Sequence, residues 1–79
     1  MRVRVKLFAT LSRHRPDAAA GTPFEVELSA GATIQSLLDQ LQLPKAEVKV
    51  VFVQGRVREA DWPLNPGDEL GIFPLVGGG

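Results

Sequence analysis

Gly31-Ala32-Thr33-Ile34-Gln35-Ser36-Leu37-Leu38-Asp39-Gln40-Leu41-Gln42-Leu43-Pro44 decides the fold class, because it carries the clearest helical period in the chain. Ile34, Leu37, Leu38 and Leu41 fall at i, i+3, i+4 and i+7, one apolar stripe that predicts a helix of about three turns. Thr33 suits the N-cap, where a hydroxyl accepts from a backbone N–H that the first turn leaves unpaired. Gly31 sets off the start, and Pro44 cannot continue the helix, so both ends are marked.

On either side of this helix the period changes to two. Val3, Val5 and Leu7 alternate with Arg2, Arg4 and Lys6, which predicts a half-buried strand from Arg2 to Phe8. Ala9 to His14 reads as a short helical turn, and Asp17 to Pro23, rich in Ala, Gly and Pro, as a connection. Phe24, Val26 and Leu28 alternate with Glu25 and Glu27, so a second strand can set its acidic edge against the basic edge of the first in a hairpin. Beyond the helix, Val48 to Val53 is short, β-branched and nearly all apolar, as a central strand is. Gln54-Gly55 is a turn signal, Arg56-Val57-Arg58 a brief edge strand, and Asn65-Pro66-Gly67-Asp68 a turn before the last strand, Glu69-Leu70-Gly71-Ile72-Phe73. The order is ββαβ(β)β. One main helix on a mixed sheet of four or five strands is an α+β arrangement, and a ubiquitin-like β-grasp roll is its natural form.

The 79 residues make one small domain, 1–79, with a flexible C-terminal tail over 74–79. With no cysteine there is no disulfide, zinc-thiolate site or thiol nucleophile, and no other metal site is expected. Nine basic residues balance nine acidic ones, which disfavours nucleic acid as a direct partner. The N-terminal Met1-Arg2-Val3-Arg4-Val5-Lys6 interleaves charge with valine, unlike a signal peptide or a membrane span, so a soluble cytoplasmic protein with no membrane partner is expected. His14, between Arg13 and Arg15, reads as a solvated residue. The acidic neighbours Glu25 and Glu27, and Asp68 and Glu69, read as solvated surface rather than acid–base pairs, and Trp62 as a loop residue capping the core.

Function is written most clearly at the C-terminus. Gly77, Gly78 and Gly79 can pack nothing and lose much backbone entropy on ordering, so they contribute little to a fold. Without Cβ atoms, Gly77 and Gly78 can thread a channel too narrow for other residues and carry the carboxylate of Gly79 into another protein's active site. From Pro74 to Gly79 the chain can span roughly 20 Å when extended. If Val48, Val50 and Phe52 point at the helix, strand parity turns Val51, Val53 and Phe73 outward, with Arg4, Lys6 and Phe8 at their border. An apolar patch with a basic rim beside the tail, with Leu75 adjoining, predicts a surface for docking partners.

The chain resembles the small sulfur carriers that include the molybdopterin synthase small subunit and the thiamine-pathway sulfur carrier. The likeness lies in the opening Val3-Arg4-Val5-Lys6-Leu7-Phe8-Ala9, in Gly31-Ala32-Thr33 leading the helix, and in Val53-Gln54-Gly55 where the family usually has Val-Asn-Gly. It continues through Pro66-Gly67-Asp68-Glu69 and Ile72-Phe73-Pro74-Leu75-Val76 into the final glycines. Phe73-Pro74 is similar to the molybdopterin branch and Val76-Gly77-Gly78-Gly79 to the thiamine branch.

The resemblance implies a co-substrate rather than an enzyme, with no bound cofactor. An E1-like adenylating enzyme would use ATP to activate the Gly79 carboxylate, sulfur would displace AMP, and the thiocarboxylate would serve a sulfur-acceptor enzyme such as a molybdopterin synthase large subunit. No Gly-rich phosphate loop exists in this chain, so ATP handling belongs to the partner. Thiamine, cysteine or tRNA thiolation, conjugation to lysines as a ubiquitin-like modifier, and a binding subunit that uses only a Val51/Phe73 patch are the alternatives.

Overall fold

In the computed structural model, which describes residues 1–15 and 19–74, the alternating segment Arg2–Leu7 forms β1 near the middle of a sheet. β2 (Phe24–Glu27) pairs with it antiparallel, Arg2 opposite Glu27 and Arg4 opposite Glu25. On its other side β5 (Glu69–Pro74) runs parallel, Arg4 opposite Glu69 and Lys6 opposite Gly71. β3 (Val48–Val53) lies antiparallel to β5, and β4 (Arg56–Val57) closes that edge, giving the order β2-β1-β5-β3-β4. This is the mixed five-stranded α+β sheet of a ubiquitin-like β-grasp.

The helix α1 (Ile34–Gln40) is shorter than its apolar stripe suggests. Thr33 caps it as expected, with reciprocity: Thr33 Oγ1 accepts from the Ser36 N–H at 3.2 Å and Ser36 Oγ accepts from the Thr33 N–H at 3.1 Å. The helix stops before Pro44 is reached. Gln42 adopts a left-handed φ of 57°, its N–H donates to Asp39 O at 3.1 Å and that of Leu43 to Leu38 O at 3.0 Å. These are the two bonds of a Schellman ending, here with Gln in place of the usual Gly, and buried Leu38 and Leu43 supply its apolar contact. Leu41 is thus the C-cap, half-buried against the core.

The core lies between α1 and one face of the sheet: Val3, Val5, Leu7, Val26, Leu70 and Ile72 from the strands meet Ile34, Leu37 and Leu38 from the helix. Leu11, from the 3-10 helix Ala9–His14, and Leu64, from the loop before β5, close the ends. Ile72 and Leu37 are fully shielded, and each such side chain contributes roughly 1.5–3 kcal/mol by burial.

β3 departs from the parity read in the sequence. Val51 and Val53 are 6% and 4% exposed and belong to the core, whereas Val50 and Phe52 are half-buried on the other side. The cause is a register shift: Val48 lies opposite Pro74 but Val50 opposite Phe73, so two steps along β3 match one along β5. One extra residue, Lys49, bulges out and resets the alternation, which keeps Val48 against the core and then turns Val51 and Val53 inward.

Other readings also shift. Trp62 is 36% exposed, with the Arg58 guanidinium 4.0 Å above its ring, so it does not cap the core; Leu64 fills that place and Trp62 contributes its carbonyl, which accepts from the Ile34 N–H. Asp68 is buried, and its Oδ2 accepts from the Asn65 N–H at 2.9 Å, which ties the turn before β5. His14 Nε2 lies 3.3 Å from a Glu47 oxygen that Arg13 also contacts, so His14 is half-buried and partnered rather than solvated. Among the described residues no helix is long and apolar enough to cross a membrane.

Candidate functional site

Among the described residues the face of the sheet away from α1 carries no helix, and it divides into two zones. Toward β2 it is a charge ladder: Arg2 Nη1 lies 3.8 Å from Glu25, Arg2 Nε 3.2 Å from Glu27, and Arg4 Nη1 3.5 Å from Glu69. Glu27 also meets the N-terminal ammonium at 3.4 Å; hydrogen bonds from that ammonium and from Arg2 hold its carboxyl below the usual carboxylate range. These pairs are exposed and screened by solvent, and their use is to fix side-chain positions across the strands.

Toward β3 the same face is aromatic. The rings of Phe8 and Phe73 stack with centroids 4.3 Å apart and planes within 4°, and Phe52 meets Phe73 edge-on at 5.4 Å. Offset stacks and edge contacts of this kind add about 0.5–1.5 kcal/mol beyond burial and hold each ring in one orientation. Two glycines border the stack, and only at Gly71 would a side chain crowd it. A Cβ at Gly71 would stand 3.2 Å from Phe8 Cε2 and 3.5 Å from Phe73 Cε1, and one at Gly21, where φ is +77°, would stand 3.6 Å from Phe8 Cε1. Phe8 therefore lies in a slot with glycine backbone on both sides, and its own N–H donates to Ile72 O at 3.1 Å. Arg4, Lys6, Phe8, Phe52, Gln54, Gly71 and Phe73 line an open groove over β1, β5 and β3.

At the rim of the groove Gln54 and Gly55 form a two-residue hairpin between β3 and β4, with φ of 51° and 82°; positive φ at both positions matches the twist of the strands. Gln54 Oε1 accepts from the Glu69 N–H at 2.7 Å, which fastens the hairpin to the start of β5.

Among the residues singled out from the sequence, Phe73, Arg4 and Lys6 meet on this face. Val51 and Val53 do not; they are buried in the core, and Phe52 and Phe8 stand on the open face instead. Leu75, Gly77, Gly78 and Gly79 lie outside the described residues. Pro74 does not belong to the tail, for it is buried and ends β5. It stands opposite Val48 beside the bulge, and having no N–H it cannot donate to the ladder. Among the described residues no group of His, Cys, Asp or Glu could hold a metal ion.

A family model described as the ThiS family matches residues 5–79, nearly the whole chain. The chain belongs to the ThiS family. ThiS-family proteins are small ubiquitin-like sulfur carriers and not themselves catalysts. Solved structures agree in fold. A putative molybdopterin converting factor subunit 1 from Pyrococcus furiosus is 29% identical, with a TM-score of 0.75, over 96% of this chain and 99% of that one. Small archaeal modifier protein 1 from Haloferax volcanii is 23% identical with a TM-score of 0.74, over 95% and 98% of the two chains. Subunit 1 or 2 of the molybdopterin-converting factor from Helicobacter pylori, solved as a protein–protein complex of the two, is 19% identical with a TM-score of 0.63 and full coverage of both chains. No curated protein matches the sequence significantly.

Proposed function

We propose that this ThiS-family carrier delivers sulfur through a thiocarboxylate on Gly79, in molybdopterin biosynthesis. The observation that carries the reading is the course of β5. The described part of β5, held between β1 and β3, runs through the groove residue Phe73 to Pro74, five residues before Gly79. Five extended residues reach about 17 Å, enough for a carboxylate to enter a buried site while the groove holds the domain outside it.

A carboxylate is a poor electrophile because its charge is delocalised. Attack of a Gly79 carboxylate oxygen on the α-phosphorus of ATP expels pyrophosphate and leaves an acyl-adenylate. Hydrosulfide from the sulfur donor then adds to the acyl carbon, AMP departs with the electron pair of the C–O bond, and the carbon keeps the sulfur as a thiocarboxylate. An E1-like adenylating enzyme supplies ATP, metal and positioning, and the acceptor is a larger synthase subunit. Support for the molybdopterin branch comes from Phe73-Pro74 ahead of the tail and from the 29% identical converting-factor subunit. Cytoplasm is the compartment in which this chemistry would run.

Intact mass decides the matter. After incubation with ATP, the cognate activating enzyme and a sulfur donor, the mass should rise by the exchange of one oxygen for sulfur, localised to Gly79 by fragmentation. A chain extended by one residue after Gly79 should stay folded and unmodified. Sulfur on the extended chain, or an unchanged mass with a demonstrably active partner, would overturn the reading, and adducts on acceptor lysines would reassign it to a modifier.

A further inference from the structure

Three bases project from β1 on the open face, and the carboxylates around them are shared unevenly. Arg2 has Glu25 and Glu27, and Arg4 has Glu69. Lys6 makes no ion pair among the described residues. The topology explains why. Its register partner on β5 is Gly71, which has no side chain, and the pairing of β1 with β2 ends at Val5 opposite Phe24, so among the described residues no acid stands across from Lys6 on that side either.

Lys6 is half-buried at the rim of the groove lined by Phe8, Phe52 and Phe73. An ammonium that no described carboxylate pairs, set beside an apolar recess, favours a ligand that brings a carboxylate together with the group filling the recess, and repels one that brings a cation. Arg4, already engaged by Glu69, adds little to that preference.

We infer that the groove receives an apolar side chain from a surface segment of a partner protein, and that an acidic residue next to it in that segment lands on Lys6. The inference rests on the docking reading above and adds the chemistry of the partner to it. The aromatic rings supply most of the contact, and Lys6 selects among apolar segments by the charge of the neighbouring residue.

The test uses the full chain, labelled with nitrogen-15, and two capped peptides that differ only in the residue after a central leucine, aspartate in one and lysine in the other. The aspartate peptide should move the amide signals of Lys6, Gly71 and Phe73 and bind about threefold more tightly, the scale of one exposed ion pair. Lys6→Glu, checked for fold by its otherwise unchanged spectrum, should invert that order, which a purely structural lysine would not do. Equal binding of the two peptides, absence of inversion, or shifts confined to other surfaces would overturn the inference. So would the same signals moving with protein concentration alone, which would assign the groove to a second copy. The mass measurement on Gly79 stays separate: a thiocarboxylate formed without any peptide preference removes this inference and leaves the carrier, whereas an unchanged mass removes the carrier.

Discussion

On the helix side of the sheet Val3, Val5, Val51, Val53, Leu70 and Ile72 are at most 6% exposed, while on the open side the same strands present Arg4, Lys6, Glu69, Gly71, Phe52 and Phe73. The inner face needs only apolar side chains of suitable size, because burial is non-directional and scales with area. The outer face depends on position: a ring stacked within 4° of parallel, a glycine where a methyl would press on Phe8, a lysine one step beyond the last carboxylate. Stability is concentrated on one side and the proposed docking surface lies on the other, and one bulged residue in β3 decides which valine faces which side.

The strongest way to break this division is to place charge on adjacent residues of β3. Val51→Asp puts an unpaired carboxylate into the core at a cost of about 3–5 kcal/mol, comparable to the whole stability of a small domain. It should abolish the urea transition seen by circular dichroism. Val50→Asp, half-buried on the open face, should cost only about 1 kcal/mol and leave a cooperative transition. If Val50→Asp proved the more damaging, the register shift between Val48 and Val50 would be wrong.

Much of this division is legible in the sequence, and the part that is not has a definite cause. The succession of elements along the chain, the Thr33 cap and the Gln54-Gly55 turn follow from local chemistry, because each is fixed by neighbours within a few residues. The pairing of Arg2 with Glu25 and Glu27 also follows, from two alternating strands in one hairpin. Bulge placement does not, because it depends on where β3 meets Pro74 across the sheet, and in Val48-Lys49-Val50-Val51-Phe52-Val53 both faces are apolar, so neither parity looks wrong. The aromatic residues carried the missed signal. Phe8, Phe52 and Phe73 are too large to share a core already filled by six aliphatic strand residues and Leu37, and placing them together on the other face would have set the parity of β3. The Schellman ending is not legible in the sequence, because Gln42 occupies a position where Gly is the usual marker.

The next test separates recognition from stability. Phe73→Ala removes the ring that both Phe8 and Phe52 contact, and hot-spot truncations of this kind cost about 1–2 kcal/mol or more in binding. The KM for the chain in the activating enzyme's thiocarboxylation reaction should rise roughly tenfold, while the urea midpoint falls less than for a core truncation such as Leu37→Ala, at about 2–5 kcal/mol. Gly71→Ala is the milder form: Phe8 must move a few tenths of an ångström, so the Phe8 ring signals should shift and the rise in KM should be smaller than for Phe73→Ala. An unaltered KM in both variants would deny the aromatic zone any part in docking.

The smallest effect is expected in the charge ladder, and its sign follows from Glu27. Hydrogen bonds from the N-terminal ammonium and from Arg2 lower the carboxyl's pKa in the folded state, so the fold favours the ionised form. Its contribution is fully present above the ordinary carboxylate range, declines as pH falls through that range, and is gone below the lowered folded value. Glu27→Gln should therefore depress the urea midpoint slightly at neutral pH, with the gap to the unsubstituted chain closing on acidification and narrowing in high salt. A gap that persisted in acid would mean that Glu27 acts through packing rather than charge. The open face would then be set by side-chain shape along its whole width, not only where Phe8, Phe52 and Phe73 meet.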